Sequence, residues 1–164
     1  MSEESKKNIK EYIITIVVTA AICLAFTHFV QISRVVGSSM ENTYHDNNIL
    51  LVDKTFYDED DAKYKDIVIV DATNYGLDEQ IIKRVIGVAG DHIVIKDNQL
   101  YINDQLIEED YIKEEMTSYE TIDVTVPEHC VFVMGDNRNN SLDSRVLGCI
   151  NFDDVVGRVF LKVF

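Results

Sequence analysis

The stretch IIKRVIGVAGDHIVIKDNQLYIN, residues 81–103, decides the fold. Three short runs rich in β-branched residues, 81–88, 92–96 and 99–103, are separated by Gly90-Asp91 and by Asp97-Asn98. Runs punctuated in this way read as antiparallel strands, and Asp97-Asn98 suits a tight hairpin turn. Asp104 with Gln105 is expected to close the connection that follows. Working outward, runs of the same kind recur at 49–52, 67–70, 122–126, 130–134 and 155–164. Their spacing predicts a mainly β domain, an antiparallel sandwich or barrel-like fold. Two connections, 53–65 and 108–120, read as solvated loops, the second strongly acidic with some helical character.

Within the opening strand, alternation sets Ile81, Lys83 and Val85 on one face and Ile82, Arg84 and Ile86 on the other. One of the two cations must therefore share a largely apolar face. A strand lysine commonly guards an edge or snorkels to water. The chemical alternative is an amine kept neutral by its surroundings, able to activate a weak nucleophile in place of imidazole. Such an amine must fall from about 10.4 by roughly 2 units, a cost to its charged form of roughly 3 kcal/mol. Desolvation supplies shifts of that size, and Ile81, Ile82, Val85 and Met40 are candidates for the apolar wall.

Ser39, in Val35-Val36-Gly37-Ser38-Ser39-Met40, is the candidate nucleophile. Alone it is weak, because serine after glycine is common in loops. A third element adds weight: Gly135-Asp136-Asn137-Arg138-Asn139-Asn140-Ser141-Leu142-Asp143-Ser144-Arg145, directly after an apolar strand. It reads either as a polar surface loop held by local side-chain turns or as a rigid support for a catalytic centre.

Residues 12–30 contain no Asp, Glu, Lys or Arg. As a helix this run spans about 28 Å, close to the ~30 Å hydrocarbon thickness. A cleaved signal peptide would have a shorter apolar region, about 7–15 residues, so an uncleaved anchor is expected. Thr15, Thr19 and Thr27 are tolerated there by bonding back to helix carbonyls. Lys6, Lys7 and Lys10 precede the anchor and only Arg34 follows closely, which orients residues 1–11 toward the cytoplasm and residues 31–164 outward. The formal charge of −14 belongs to the outer part, and it argues against nucleic acid as a partner. Cys23, Cys130 and Cys149 lack metal-type spacing. A Cys130–Cys149 disulfide and buried strand thiols both remain open, with thiols favoured. His28, His45, His92 and His129 are scattered, so no metal and no cofactor is expected.

Taken as an ordered set, these segments resemble bacterial type I signal peptidases, membrane-bound Ser/Lys endopeptidases that remove signal peptides from exported preproteins. The resemblance runs from the anchor through Gly37-Ser38-Ser39-Met40-Glu41-Asn42-Thr43, Asp66-Ile67-Val68, Lys83-Arg84-Val85-Ile86-Gly87 and the loop from Gly135 through Arg145 and Gly148. It implies a mainly antiparallel β fold, with Ser39 as nucleophile and Lys83 as general base. It further implies Ser141 as a hydroxyl orienting the amine, Asp143 with Arg145 as a supporting salt bridge, and Asp136 and Arg138 as anchors of the loop on the catalytic strand. Val35, Met40 and Ile82 match pocket-lining positions for small substrate side chains one and three residues before the cut. Asn42, Tyr44 and Ala89 stand where the family usually has proline, leucine and proline. Gly37 stands where some relatives carry a serine that helps the oxyanion, which leaves backbone N–H groups or a nearby hydroxyl for that task. Two rivals remain. One is a self-cleaving Ser/Lys repressor, disfavoured by the anchor, and the other a catalytically silent, membrane-tethered β module that binds preproteins or an export partner.

Overall fold

The computed structural model describes residues 3–117 and 121–164. Residues 1–2 of the expected cytoplasmic segment and 118–120 of the expected acidic loop lie outside the described residues.

The chain opens with helix α1 (Glu3–Phe29). Within Asn8–Phe29 an 18-residue window has a mean hydropathy of 2.1 and is 0% buried against the rest of the chain, so its apolar side chains are free to meet lipid. A helix satisfies its own backbone, which is what a hydrocarbon environment demands. Thr15 and Thr27 return their hydroxyls to Glu11 O and Leu24 O at 3.0 and 3.1 Å. The helix ends at Phe29, one residue before the end of the expected anchor. Val30 starts strand β1 (Val30–Arg34), paired to β2 (Ile49–Asp53) from Val30↔Asp53 onward. Val30 itself is apolar like the helix before it, and polar residues begin only at Gln31, so the hand-over at Val30 is set by pairing. The ring of Phe29 stacks on Phe56 at 5.3 Å where the helix meets the sheet.

The remaining strands are β3 (Ile67–Asp71), β4 (Gln80–Val88), β5 (His92–Lys96), β6 (Gln99–Ile102), β7 (Gln105–Leu106), β8 (Ile122–Thr125), β9 (Cys130–Met134), β10 (Ile150–Asn151) and β11 (Val155–Lys162). Among the described residues they form two antiparallel sheets, in the orders β1-β2-β11-β3-β4-β9-β10 and β7-β6-β5-β8. The larger sheet curls into a half-barrel. Register shifts at Val155/Gly157 and at Val85/Gly87 bend it, as bulges do. Gly87 also lets the second sheet approach: a Cβ there would lie 2.6 Å from Ile93 Cδ1. The fold is thus mainly β with one preceding helix, as expected.

The Asp97-Asn98 hairpin is present, with both residues at positive φ, +50° and +64°, the backbone a two-residue turn of this hand requires. The next turn is corrected by one residue. Asn103 and Asp104 take positive φ, +52° and +66°, and Gln105 already belongs to β7. Three apolar clusters fill the domain. One is centred on Val68, Val85 and Val133, one on Ile86, Ile93 and Phe132, and one on Val35, Leu50 and Ile69. The connections are less solvated than their composition suggests. Tyr57 in the first is buried, and in the second Met116 is buried and no helix forms over residues 108–117.

Candidate active site

Strand β4 is half free. Residues 80–83 pair only with β3, and pairing with β9 begins at Arg84. Across the opening stands β1, whose sheet partner is β2. Between these two strand edges lies an open cleft of about 670 Å³, lined by Val35, Met40, Ile69, Ile82, Ser39 and Lys83, among others.

Lys83 is 3% exposed. Its Nζ donates to Ile82 O at 2.9 Å and to Ser39 Oγ at 3.0 Å, bringing together two residues 44 positions apart. Burial lowers its pKa from 10.5 to about 8, and the charges of Asp143 and Glu79 partly oppose that fall. The amine is therefore available in both protonation states near neutral pH. A neutral amine at this distance can accept the proton that the serine hydroxyl releases.

Both cations of β4 are buried, not one alone, since Arg84 is only 7% exposed. The curled sheet covers both faces, so Arg84 needs partners. It donates Nε and Nη2 to the two oxygens of buried Asp136 at 2.8 and 2.6 Å, gives Nη1 to Lys65 O at 3.0 Å, and lies 4.1 Å from the centroid of the Tyr111 ring. Thr43 also donates to Asp136. One carboxylate thereby ties the loop after β9 to the lysine strand and to the serine loop.

That loop grips Ser38 and Ser39 directly. Asn137 donates its N–H to Ser39 O at 2.9 Å and its Nδ2 to Ser38 O at 3.0 Å, while Asn140 Nδ2 reaches Ser38 Oγ at 2.8 Å. Asp143 accepts from Gly135 N at 3.0 Å and from Arg145 Nε and Nη2 at 2.8 and 2.9 Å, and it caps the short helix α2 (Ser144–Leu147). Asp136 thus sits against β4, the strand that carries Lys83. Arg138 does not. It holds Gly135 O at 3.1 Å and forms a buried pair with Glu109, whose carboxylate also accepts from Tyr111 Oη. Ser141 Oγ is buried without a hydrogen-bond partner among the described residues, so the expected bond to the Lys83 amine is not made. Of the expected pocket residues, Ile82 is half-buried on the cleft wall, whereas Val35 and Met40 line it while packing in the core.

Glu109, Tyr111, Lys113, Thr43, Asn137 and Asn140 were not singled out from the sequence. Residues 109–117 form a strap, exposed along much of its length but tied to the loop after β9. Lys113 donates its N–H to Asp136 O at 3.0 Å and its Nζ to Glu41 at 2.7 Å. Thr117 donates to Asn139 Oδ1, and Asn139 Nδ2 donates to Glu115 O. An acidic composition carries no sign of this, because each partner is remote in sequence. Cys130 and Cys149 are free and half-buried, Cys130 in β9 and Cys149 just ahead of β10. Among the described residues no three His, Cys, Asp or Glu side chains converge to hold a metal.

Close packing of the loop on the serine makes a prediction. A Cβ on Gly135 would stand 2.6 Å from Ser39 O and closer still to Ser141 Oγ. Backbone on one side leaves little room for relief, so Gly135→Ala should displace the Ser39 loop and lower peptidase turnover at least ~100-fold. Turnover within a few-fold of wild type would show that the loop yields without moving Ser39.

A helix-tethered, mainly β chain whose cleft joins a serine hydroxyl to a buried amine has the design of a membrane-anchored serine peptidase. Sequence comparison gives the family: the profile of signal peptidase, peptidase S26, matches residues 9–164, and the chain belongs to that family of hydrolases. Signal peptidase I U of Bacillus subtilis is 37% identical over 94% of this chain and 87% of its own length. Signal peptidase I of Bacillus licheniformis is 36% identical over 96% and 91%. The crystal structure of a signal peptidase I from Enterococcus faecalis superposes with a TM-score of 0.54 at 30% identity, covering 60% of this chain and 97% of that one.

Proposed function

We propose that this peptidase removes N-terminal signal peptides from exported preproteins, with Ser39 as nucleophile and Lys83 as general base. The observation that carries the reading is the 3.0 Å contact between Lys83 Nζ and Ser39 Oγ, with the amine buried. Neutral Lys83 takes the hydroxyl proton as Ser39 Oγ attacks the scissile carbonyl. The resulting ammonium gives that proton to the departing amine as the C–N bond breaks, leaving an ester on Ser39. A water deprotonated by Lys83 then hydrolyses the ester and restores the serine. Backbone N–H groups at Ser39 supply donors for the developing oxyanion, with Gly37 offering no side-chain hydroxyl.

Asp136, through Arg84, and Asp143, with Arg145, hold the loop that fixes Ser39 and borders Lys83. Arg138 acts from further out, through Glu109. Ser141, buried beside Gly135, comes into hydrogen-bonding range of the amine only if substrate or rotamer changes bring the two together. The unpaired edges of β1 and of residues 80–83 suit an extended peptide entering as an added strand, its first and third residues before the cut resting on Val35, Met40 and Ile82. The apolar length of α1 supports anchorage, with residues 1–11 cytoplasmic and the β domain outside. Enzyme and membrane-inserted substrate then share one interface, which raises their effective concentration.

The test is processing of a preprotein by the purified protein in detergent, followed by mass across a pH series. Below pH 8 the Lys83 amine holds its proton and cannot act as base, and above it the amine is free. The value of kcat/KM should therefore rise with pH through a midpoint near 8 and level off within roughly 1.5 units above it. A flat or falling profile over that range would exclude Lys83 as the base. Absence of any processing by demonstrably folded protein would favour the silent binding module.

A further inference from the structure

At the end of the cleft remote from Ser39, one side-chain bond joins its two walls. Gln31 of β1 donates Nε2 to Gln80 Oε1 of β4 at 3.2 Å, and the same amide reaches Ser33 Oγ at 2.9 Å. All three residues belong to the strands that border the cleft, and all line it. Two glutamines meeting amide to amide bridge a gap on the order of twice the ~4.8 Å spacing of neighbouring strands. That gap admits one further strand, and a strand entering it must part the two amides.

Parting them leaves polar groups in need of partners. Gln80 precedes Lys83 by three residues, about 10 Å along a strand. Alternation sets the Gln80 side chain on the same face as Ile82, and Ile82 packs with Val35 and Met40 in the cluster below the cleft. Substrate side chains on that face are every second one: the first and third before the cut lie over Ile82 and its neighbours, and the fifth arrives at Gln80. Besides Ile69 and Ile82 on its floor, the cleft is lined by the amides of Gln31 and Gln80 and the hydroxyl of Ser33, with Ile32, Leu77 and Glu79 close to them in sequence.

We propose that Gln31, Ser33 and Gln80 form an amide latch that opens to bound substrate and selects a polar, hydrogen-bonding side chain at the fifth residue before the cut. The inference rests on the peptidase reading given above. A serine, threonine, asparagine or glutamine there replaces the bonds that the latch gives up, whereas a leucine leaves both amides dependent on water. The latch is solvent-exposed, so water satisfies part of what leucine leaves unpaired, and the discrimination is modest compared with that of a buried site. Because the contact is equal in the ground and transition states, the selection falls on KM rather than on kcat.

The experiment compares a synthetic preprotein carrying glutamine or leucine at the fourth, fifth or sixth position before the cut. Wild-type protein should favour glutamine over leucine about fivefold to tenfold in KM at the fifth position and little at its neighbours. Gln31→Leu and Gln80→Leu should each collapse that ratio toward one. The isosteric Gln80→Glu, which can still accept from Gln31, should instead favour lysine at the same position. A ratio unchanged in both leucine variants, or a wild-type preference absent at the fifth position, would overturn the latch while leaving peptidase action intact. Failure of wild-type protein to cut any of the six substrates would overturn the peptidase reading itself.

Discussion

Replacing Ser39 by alanine, or Lys83 by methionine, should lower preprotein processing by at least ~10⁴-fold in kcat. In the proposed mechanism the two groups act on one proton, so the double variant should be no slower than either single one, since effects of residues that work as a unit do not add. Lys83→Met also carries its own control for folding. In the wild type, the amine titrates at about 8 when folded and at 10.5 when exposed. Between those values the unfolded chain holds a proton that the folded chain lacks, so stability rises with pH across that window. Below pH 8 the folded state bears the full cost of a buried ammonium, on the order of 3 kcal/mol. Lys83→Met removes that cost without leaving a void. At pH 7 the variant should therefore unfold at a higher temperature than wild type while being inactive, and its advantage should shrink toward pH 10. An inactive variant that was also less stable at pH 7 would point to a structural role for the amine.

Asp136→Ala should be the most damaging change for stability. Asp136 is fully buried and accepts from Arg84 and Thr43. Its loss would strand a guanidinium that is only 7% exposed. Breaking a buried pair from one side costs about 3–5 kcal/mol, a large part of a stability that for most domains is about 5–15 kcal/mol. Thermal unfolding of the full chain in detergent should show a fall on the order of 10 °C. Arg84→Met combined with Asp136→Leu should recover much of it, because removing both charges also removes the desolvation they share. A double variant as unstable as the sum of the singles would mean that Arg84 and Asp136 stabilise the fold through separate contacts. Activity should be lost in either case, because the same carboxylate ties the Gly135 loop to Arg84, beside Lys83, and to the serine loop.

Strand positions were legible wherever an apolar run ended at a turn residue. Residues 92–96 and 130–134 match β5 and β9 to the residue. Short or unsignalled elements were not: β7 and β10 are two residues each, and β1 follows α1 directly with no turn residue between them. Ser39 and Lys83 were chosen from local sequence and family resemblance, and the fold then sets their hydroxyl and amine 3.0 Å apart. Arg138 was read as an anchor of the loop, and its pairing with Glu109 carried no signal, because Glu109 sits in an acidic run where no residue stands out from its neighbours. The orphaned hydroxyl of Ser141 had no sequence signal either.

By itself, the order of residues determined the local matters: a charge-free run long enough for a membrane, alternating strands, turns at Asp97-Asn98, and the chemical types on offer. Those properties depend on neighbours within a few positions, where periodicity and backbone preference act. Tertiary structure alone decided that both cations of β4 would be buried, that an acidic strap would hold Arg138, and that Gln31 would meet Gln80 across the cleft. Each of these joins groups about 30 to 50 residues apart, and what brings such groups together is the curl of the sheet and the register of its strands.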